Sequence, residues 1–579
     1  MCGIAGIVHT DGRPADRAEL QRMADALAHR GPDGTGIWQH GATGLVHRRL
    51  AIIDLEGGRQ PMAGADTGCV LTFNGEIYNY RDLRRELQAD GLVFHEASDT
   101  EVVLRAYERW GDRCVDHLQG MFAFAIWDSR TPRLFAARDR LGIKPLYYRW
   151  QSGTLRFASE LKAMLAADPT RTAALDPRSF DRYLRLQYVP SPHTMVAGVR
   201  QVPPGCTVAL TAAAGAAPVE ARYWQARGRA AGRADVQQFQ DRLARVVESH
   251  MVADVPVGAL LSGGLDSSLV VAHMTRLATT PVHTFSVGFE DARLDERHAA
   301  RQVAAHLGTE HHEQVVTDAD AADALPAVVR AMDEPLADYA ALPTWLIARF
   351  AARHVKVVLT GEGADELFAG YRRYRRDRLL APLARLRTPY QASHVFSAWE
   401  TGRLLRRRPT PLERSAHAGA RTRGTLNRLL LRDIEGWLPD DLLVKVDRMT
   451  MSWSLEARVP YLDHQFVEYA LAIPASQKLG LVGGDNKRLM REAAARLFPS
   501  TTAQRPKQGF KPPIDQWLRG RLRSLAHDTL LSPGASLRGQ VDMSIVRRLL
   551  ADHDAGRPYG HRIWALLVHE LWSREYRVA

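Results

Sequence analysis

The sequence is poor in cysteine and lysine and has no long apolar run. Its four cysteines, Cys2, Cys69, Cys114 and Cys206, are far apart and include no C-x-x-C pair. That excludes a zinc ribbon or a disulfide framework. A free thiol defaults to a small buried hydrophobe, the reading given to Cys69, Cys114 and Cys206. Every apolar stretch meets a charge before the roughly 18 residues a membrane span needs, so no membrane contact is expected. The first residues, Met1-Cys2-Gly3-Ile4-Ala5-Gly6-Ile7-Val8, lack the basic region of a secretion signal. A cytoplasmic location is expected.

Charge is abundant but unevenly placed. Of 77 basic residues only 8 are lysine, and the net charge is +12. Between Gly370 and Glu435 there are 16 Arg and 5 acidic residues, so this segment carries nearly all the excess. Stacking aromatics are sparse there and no RRM or KH signature is present. The segment reads as solvated helix faces, and no nucleic-acid partner is expected.

A chain of 579 residues is too long for one ordinary domain. Residues 1–210 show short alternating runs such as Leu45–Asp54, Cys69–Phe73 and Met121–Asp128. Helical periodicity interrupts them at Tyr80–Ala89 and Asp99–Trp110, an α+β layout. Residues 211–235, rich in small and polar residues, read as a linker. From Val236 to Ala579 helices alternate with short β-rich runs, Val255–Leu261, Val282–Val287, His312–Val316 and Val355–Leu359. Such alternation implies a parallel sheet covered by helices, and beyond Tyr371 the chain reads as helical.

Two glycine loops fall at carboxyl ends of strands, where ligands bind in parallel sheets. The first is Ser262-Gly263-Gly264-Leu265-Asp266-Ser267-Ser268. Its glycines let backbone N–H groups turn toward an anion at a helix N-terminus. Asp266 supplies a carboxylate suited to Mg²⁺. The seven residues resemble the pyrophosphate loop of ATP pyrophosphatases, which lacks the Walker ending. The second loop, Thr360-Gly361-Glu362-Gly363-Ala364-Asp365-Glu366, adds carboxylates at the neighbouring strand end.

At the N-terminus, Cys2 becomes the first residue once Met1 is removed. Its own α-amine, titrating near ~8, then serves as a base for the thiol. Other motifs accompany it: His29-Arg30-Gly31-Pro32-Asp33, His47-Arg48-Arg49-Leu50, Asn74-Gly75-Glu76-Ile77-Tyr78-Asn79 and Ser98-Asp99. Asp333-Glu334-Pro335 and Glu456-Ala457-Arg458-Val459-Pro460-Tyr461-Leu462-Asp463 follow in the second half. Together these resemble the glutamine-hydrolysing asparagine synthetases of the B type.

The resemblance implies a four-layer αββα N-terminal nucleophile glutaminase, then an ATP-pyrophosphatase domain with a helical C-terminal part. Cys2 matches the nucleophile, and Asn74 and Gly75 the oxyanion hole. Arg49 matches the clamp on the glutamine α-carboxylate, and Asp99, with Glu76 nearby, the pocket for its α-ammonium. Leu260, Val287 and Gly361 match backbone contacts to adenosine, with Ser262, Gly263, Gly264, Ser267, Ser268 and Thr360 completing the ATP loops. Asp266 and Asp365 match the Mg²⁺ carboxylates, Glu362 the acid/base residue, and Lys487 the cation facing the phosphates. The implied products are asparagine, glutamate, AMP and pyrophosphate, from glutamine, aspartate and ATP. The stretch Asp333–Trp345, where the acceptor binds, also allows a different carboxylate. A homodimer is allowed.

Overall fold

The computed structural model describes residues 2–579 apart from 66, 169–171, 229–231, 292–294, 381–394, 413–421, 423, 481–485 and 506–511. The expected removal of Met1 and much of the arginine-rich segment fall outside the described residues. No helix among the described residues is long and apolar enough to cross a membrane.

The N-terminal half contains β1 (Gly3–His9), β2 (Gly34–His40), β3 (Thr43–Arg49), β4 (Met62–Ala63), β5 (Cys69–Ile77) and β6 (Gly120–Asp128). It continues with β7 (Arg133–Arg138), β8 (Tyr147–Gln151), β9 (Thr154–Ala158), β10 (Val199–Gln201), β11 (Cys206–Thr211) and β12 (Val219–Arg222). They form two six-stranded antiparallel sheets, in the orders β10-β8-β9-β1-β3-β2 and β12-β11-β7-β6-β5-β4.

The period-2 alternation of side chains sets the layers. In β1, Ile4 and Val8 enter the core between the sheets, where they join Ala123, Ala125 and Trp127 of β6. Ala5 and Ile7 face the other way, onto Leu20 and Met23 of the helix Arg17–Ala26. In β6, Phe122, Phe124 and Ile126 turn onto the helices Tyr80–Ala89 and Asp99–Trp110 through Leu83, Leu87 and Val103. Strands covered on both faces need a continuous apolar run, and Met121–Trp127 is one. The result is helix, sheet, sheet, helix, the expected αββα stack.

Several details differ from the sequence reading. Helices at Arg17–Ala26, Cys114–His117, Leu161–Ala167 and Pro177–Leu186 add to the two expected. The first carries a readable signal, an Asp16 cap on Ala18 N at 2.9 Å followed by helically spaced Leu20, Met23 and Ala24. Within the stretch read as a linker, β12 pairs antiparallel with β11 and extends the second sheet. All four β12 residues are exposed, so no apolar alternation marks it.

The second half holds β13 (Val257–Leu260), β14 (His283–Phe289), β15 (Glu310–Val316), β16 (Val357–Leu359) and β17 (Glu456–Arg458). All pair in parallel, in the order β15-β14-β13-β16-β17. Four of these strands match the alternating pattern in the sequence. The fifth corrects the reading that the chain is helical beyond Tyr371. Glu456-Ala457-Arg458 does not look like a buried strand because its charged side chains are used at the seam with the N-terminal half.

Candidate active sites

Cys2 immediately precedes β1 and is almost fully buried. Its N–H donates to Asn74 Oδ1 at 2.8 Å, and Arg30 Nε donates to its carbonyl at 3.0 Å. Burial pushes the thiol above its ordinary range. The other half of the Asn74 amide is informative. Nδ2 is buried and has no hydrogen-bond partner among the described residues, a donor available for an incoming acceptor. Gly75 follows it, where a Cβ would lie 2.2 Å from Met121 O, so only glycine fits.

The cleft around Cys2 is lined by Arg49, Leu50, Gly58, Gly75, Glu76 and Asp99, among others. Arg49 lies half-buried at its rim and donates to Asp54 O at 2.6 Å and Leu55 O at 3.1 Å. Asp99 is buried and accepts from Ile77 N at 3.0 Å, and burial raises its carboxyl to about 6. Glu76 is raised well above the usual range by burial and by the adjacent Glu456 carboxylate. The structure therefore brings Cys2, Arg49, Gly75, Glu76 and Asp99 into one cleft, with Asn74 outside its lining but bonded to the Cys2 N–H. His47 is not part of the lining. It is buried, held neutral by that burial with its pKa lowered to about 3, and its Nε2 meets Phe73 O at 3.2 Å.

The second site is a cavity of ≈ 240 Å³ beyond the carboxyl ends of β13, β14 and β16. Leu260, Ser262, Asp266, Ser267, Val287, Thr360, Gly361, Glu362 and Asp365 all line it. Ser262 Oγ and Ser267 Oγ lie 3.2 Å apart, and Gly264 N donates to Ser262 Oγ at 3.3 Å. Gly263, Gly264 and Ser268 do not line it. Gly263, at φ +69°, lets the helix Arg297–Leu307 approach, since a Cβ there would lie 2.4 Å from Ala299 C. Ser268 is buried within the helix Leu265–Leu277.

Lys487 sits beside the cavity with its ammonium 2.6 Å from Asp266 and 2.5 Å from Asp365. Gly370 makes room, because a Cβ there would lie 1.6 Å from Asp365 Oδ1. The two carboxylates thus converge on one point, and their hard oxygen donors suit Mg²⁺. Lys445 also lines the cavity and was not expected from the sequence. It donates to Asp338 Oδ2 at 2.8 Å and, despite burial, is pushed above its ordinary range by Asp338, Glu362 and Asp441. The signal was a scarce lysine inside the apolar stretch Leu442-Leu443-Val444-Lys445-Val446.

A buried ionic seam joins the two sites. Arg30, fully buried, binds Glu160 at 2.7 Å and Asp447 at 2.8 Å. Arg448 bridges Glu160 at 3.0 Å and Asp333 at 3.2 Å. Burial works to raise both Glu160 and Asp447, yet His29, Lys162 and Arg448 hold Glu160 well below its usual range, and Arg30 and Lys144 hold Asp447 below it. Asp447 lies on the helix Leu443–Met451, which also presents Lys445, Val446 and Thr450 to the cavity. From β17, Arg458 reaches Glu76 at 3.4 Å and the His250 and Val252 carbonyls at 2.8 and 2.6 Å.

Comparison with known proteins decides the family. The asparagine synthase model matches residues 238–574, and the glutamine amidotransferase domain model matches residues 1–224. The chain belongs to the asparagine synthase family. It is 35% identical to asparagine synthetase [glutamine-hydrolyzing] 1 of Bacillus subtilis, over 99% of this chain and 96% of that one. It is 37% identical to a putative asparagine synthetase [glutamine-hydrolyzing] of Mycobacterium tuberculosis H37Rv, over 99% and 97%. Asparagine synthetase B of Escherichia coli K12 is 30% identical over 88% of this chain and 82% of its own length. The two models divide the chain as the sheets do, one matching the antiparallel half and the other the parallel-sheet half.

Proposed function

We propose that this chain makes asparagine from aspartate, taking nitrogen from glutamine and energy from ATP. The observation that carries the reading is a buried thiol beside an unspent amide donor, joined through one ionic seam to a carboxylate-lined cavity at strand ends.

With Met1 removed, the α-amine of Cys2 takes the thiol proton, which burial otherwise holds on sulfur. The sulfur attacks the glutamine carboxamide. Asn74 Nδ2 and Gly75 N–H donate to the developing oxyanion. Arg49 clamps the α-carboxylate, and Asp99 with Glu76 receives the α-ammonium. The proton passes to the departing ammonia, and water hydrolyses the remaining thioester to glutamate. Ammonia in bulk water would protonate and lose its lone pair, so the reading requires an internal passage from the cleft to the cavity.

In the cavity, Leu260, Val287 and Gly361 hold the adenosine, and Ser262, Ser267 and Thr360 receive the phosphates. The aspartate β-carboxylate attacks the α-phosphorus, and pyrophosphate leaves. Asp266 and Asp365 would hold Mg²⁺, which supplies charge compensation on the phosphates when bound. Lys487, now between those carboxylates, faces the pyrophosphate. Lys445, which lines the cavity and is held by Asp338, receives the α-carboxylate of aspartate. Ammonia attacks the acyl-adenylate, Glu362 takes its surplus proton, and AMP leaves.

The test is product analysis with purified protein. Glutamine, aspartate and ATP are expected to give asparagine, glutamate, AMP and pyrophosphate in equal amounts. ADP and phosphate as main products, or pyrophosphate release driven by another carboxylate in preference to aspartate, would overturn the reading.

A further inference from the structure

The nucleotide cavity uses the carboxyl ends of the parallel strands. At the opposite ends of β14 and β15 lies a cluster the reaction does not use. His283 and Glu310 open these two strands and are paired in register, and His312 pairs with Phe285. Residues two apart share a face, so His283, Glu310 and His312 project together. His311 points to the other face, where its ring meets Thr284 Oγ1 at 2.9 Å and Ser286 Oγ at 3.2 Å.

Three ligand atoms converge. His283 Nδ1 and His312 Nε2 are 3.2 Å apart, and Glu310 Oε1 lies 3.5 Å from the first and 3.4 Å from the second. A tetrahedral ion bound at about 2.0–2.1 Å separates its ligands by about 3.3–3.4 Å. The triangle therefore has the edges of a tetrahedral face without moving a backbone atom. Among the described residues this is the one group of His, Cys, Asp or Glu whose ligand atoms approach in this way.

We propose that His283, Glu310 and His312 bind a divalent metal of the zinc class, which ties the edge strand β15 to β14. Two imidazoles and one carboxylate are the donor set that selects zinc over hard cations such as Mg²⁺. The rings of Phe285 and His354, with centroids 5.2 and 4.3 Å from that of His312, wall one side. Glu310, 56% exposed, leaves the other side open to an entering ion and to a water as fourth ligand.

The experiment is a Co²⁺ titration of full-length protein stripped with a chelator. The expected result is an intense tetrahedral d–d spectrum saturating at a single Co²⁺ per chain, displaced by Zn²⁺ and not by Mg²⁺. His283→Ala, Glu310→Gln and His312→Ala should each weaken binding by more than about a hundredfold, since losing even the hydrogen-bond partner of a metal ligand costs roughly ten- to a hundredfold. His311→Ala, on the opposite face, should keep both the spectrum and the rise in melting temperature on adding Zn²⁺. Circular dichroism separates a folded variant without metal from an unfolded one. A weak octahedral spectrum, or wild-type affinity in folded His283→Ala or His312→Ala protein, overturns the proposal.

Discussion

The glutaminase cleft and the nucleotide cavity solve opposite problems. The cleft is small and built from the side of an antiparallel sandwich, with Cys2, Asn74 and Gly75 fixed by strands β1 and β5. Its chemistry is covalent, so it needs one atom well placed and one donor left unspent. The cavity is larger and lies where parallel strands end in loops, with carboxylates and cations balanced against each other. Its chemistry is phosphoryl and acyl transfer, so it needs charge rather than a nucleophile of its own. Removing one group should therefore silence the cleft, but only slow the cavity.

The sharpest separation uses Cys2→Ala. Glutamine-dependent asparagine formation should fall to background, while ammonium salts still support synthesis at near wild-type rate. The other three thiols are buried away from the cleft and offer no substitute. Glutaminase activity surviving in this variant would break the comparison at its root.

Asp266→Asn tests the cavity. The change is nearly isosteric, and Lys487 loses one of its two carboxylate partners. Synthetase turnover should drop about a hundredfold, the scale of ~3 kcal/mol for an electrostatic group at a phosphoryl-transfer site. Glutamine hydrolysis should continue. An unchanged synthetase rate would remove Asp266 from the chemistry.

The two halves also differed in how far they could be read from sequence. The α+β layout of the first half was legible in the short runs around Leu45, Cys69 and Met121, whereas the four-layer αββα stack was implied by the family resemblance and not by those runs. The loops at Ser262 and Thr360 were legible because glycine and carboxylate cluster where strands end. What escaped was polar and long-range. β17 is a strand of charged residues whose partners, Glu76 and the His250 carbonyl, come from distant sequence. Likewise, nothing local to Arg30 or Asp447 foretells a pairing across 417 residues. Lys445 hid because a single lysine on a helix is ordinarily surface, and only burial beside Asp338 and Glu362 gives it a role.

A gentler probe of the cleft is pH. Burial raises the Asp99 carboxyl to about 6, so it carries its proton below that value and its charge above it. An α-ammonium prefers the charged form. The kcat/KM for glutamine should therefore fall as pH drops through about 6, approaching tenfold per unit. The same profile measured with ammonium salts, at a fixed concentration of free NH3, should lack this limb. Asp99→Asn should lower kcat/KM for glutamine and flatten its acid side. Persistence of the limb in that variant would assign it to another group.

The smallest expected effect lies at the rim of the seam. Lys356 donates to Asp33 Oδ2 at 2.8 Å, with side chains 42% and 30% exposed. Partial burial works to raise Asp33, but the Lys356 hydrogen bond and the Ala51 amide bring its carboxyl below the ordinary range. A depressed carboxyl contributes stability above its unfolded pKa and loses it as pH falls through the folded value. Water and salt screen a pair this exposed. Lys356→Ala should thus cost less than about 1 kcal/mol at neutral pH, and the loss should shrink further in high salt. The ratio of glutamate to asparagine formed should stay at the wild-type value, because the buried contacts of Arg30 with Glu160 and Asp447 remain intact. Calorimetry and a paired product assay read both quantities. A destabilisation of several kcal/mol, or glutamate formed in excess of asparagine, would place the coupling at the rim instead of the buried centre.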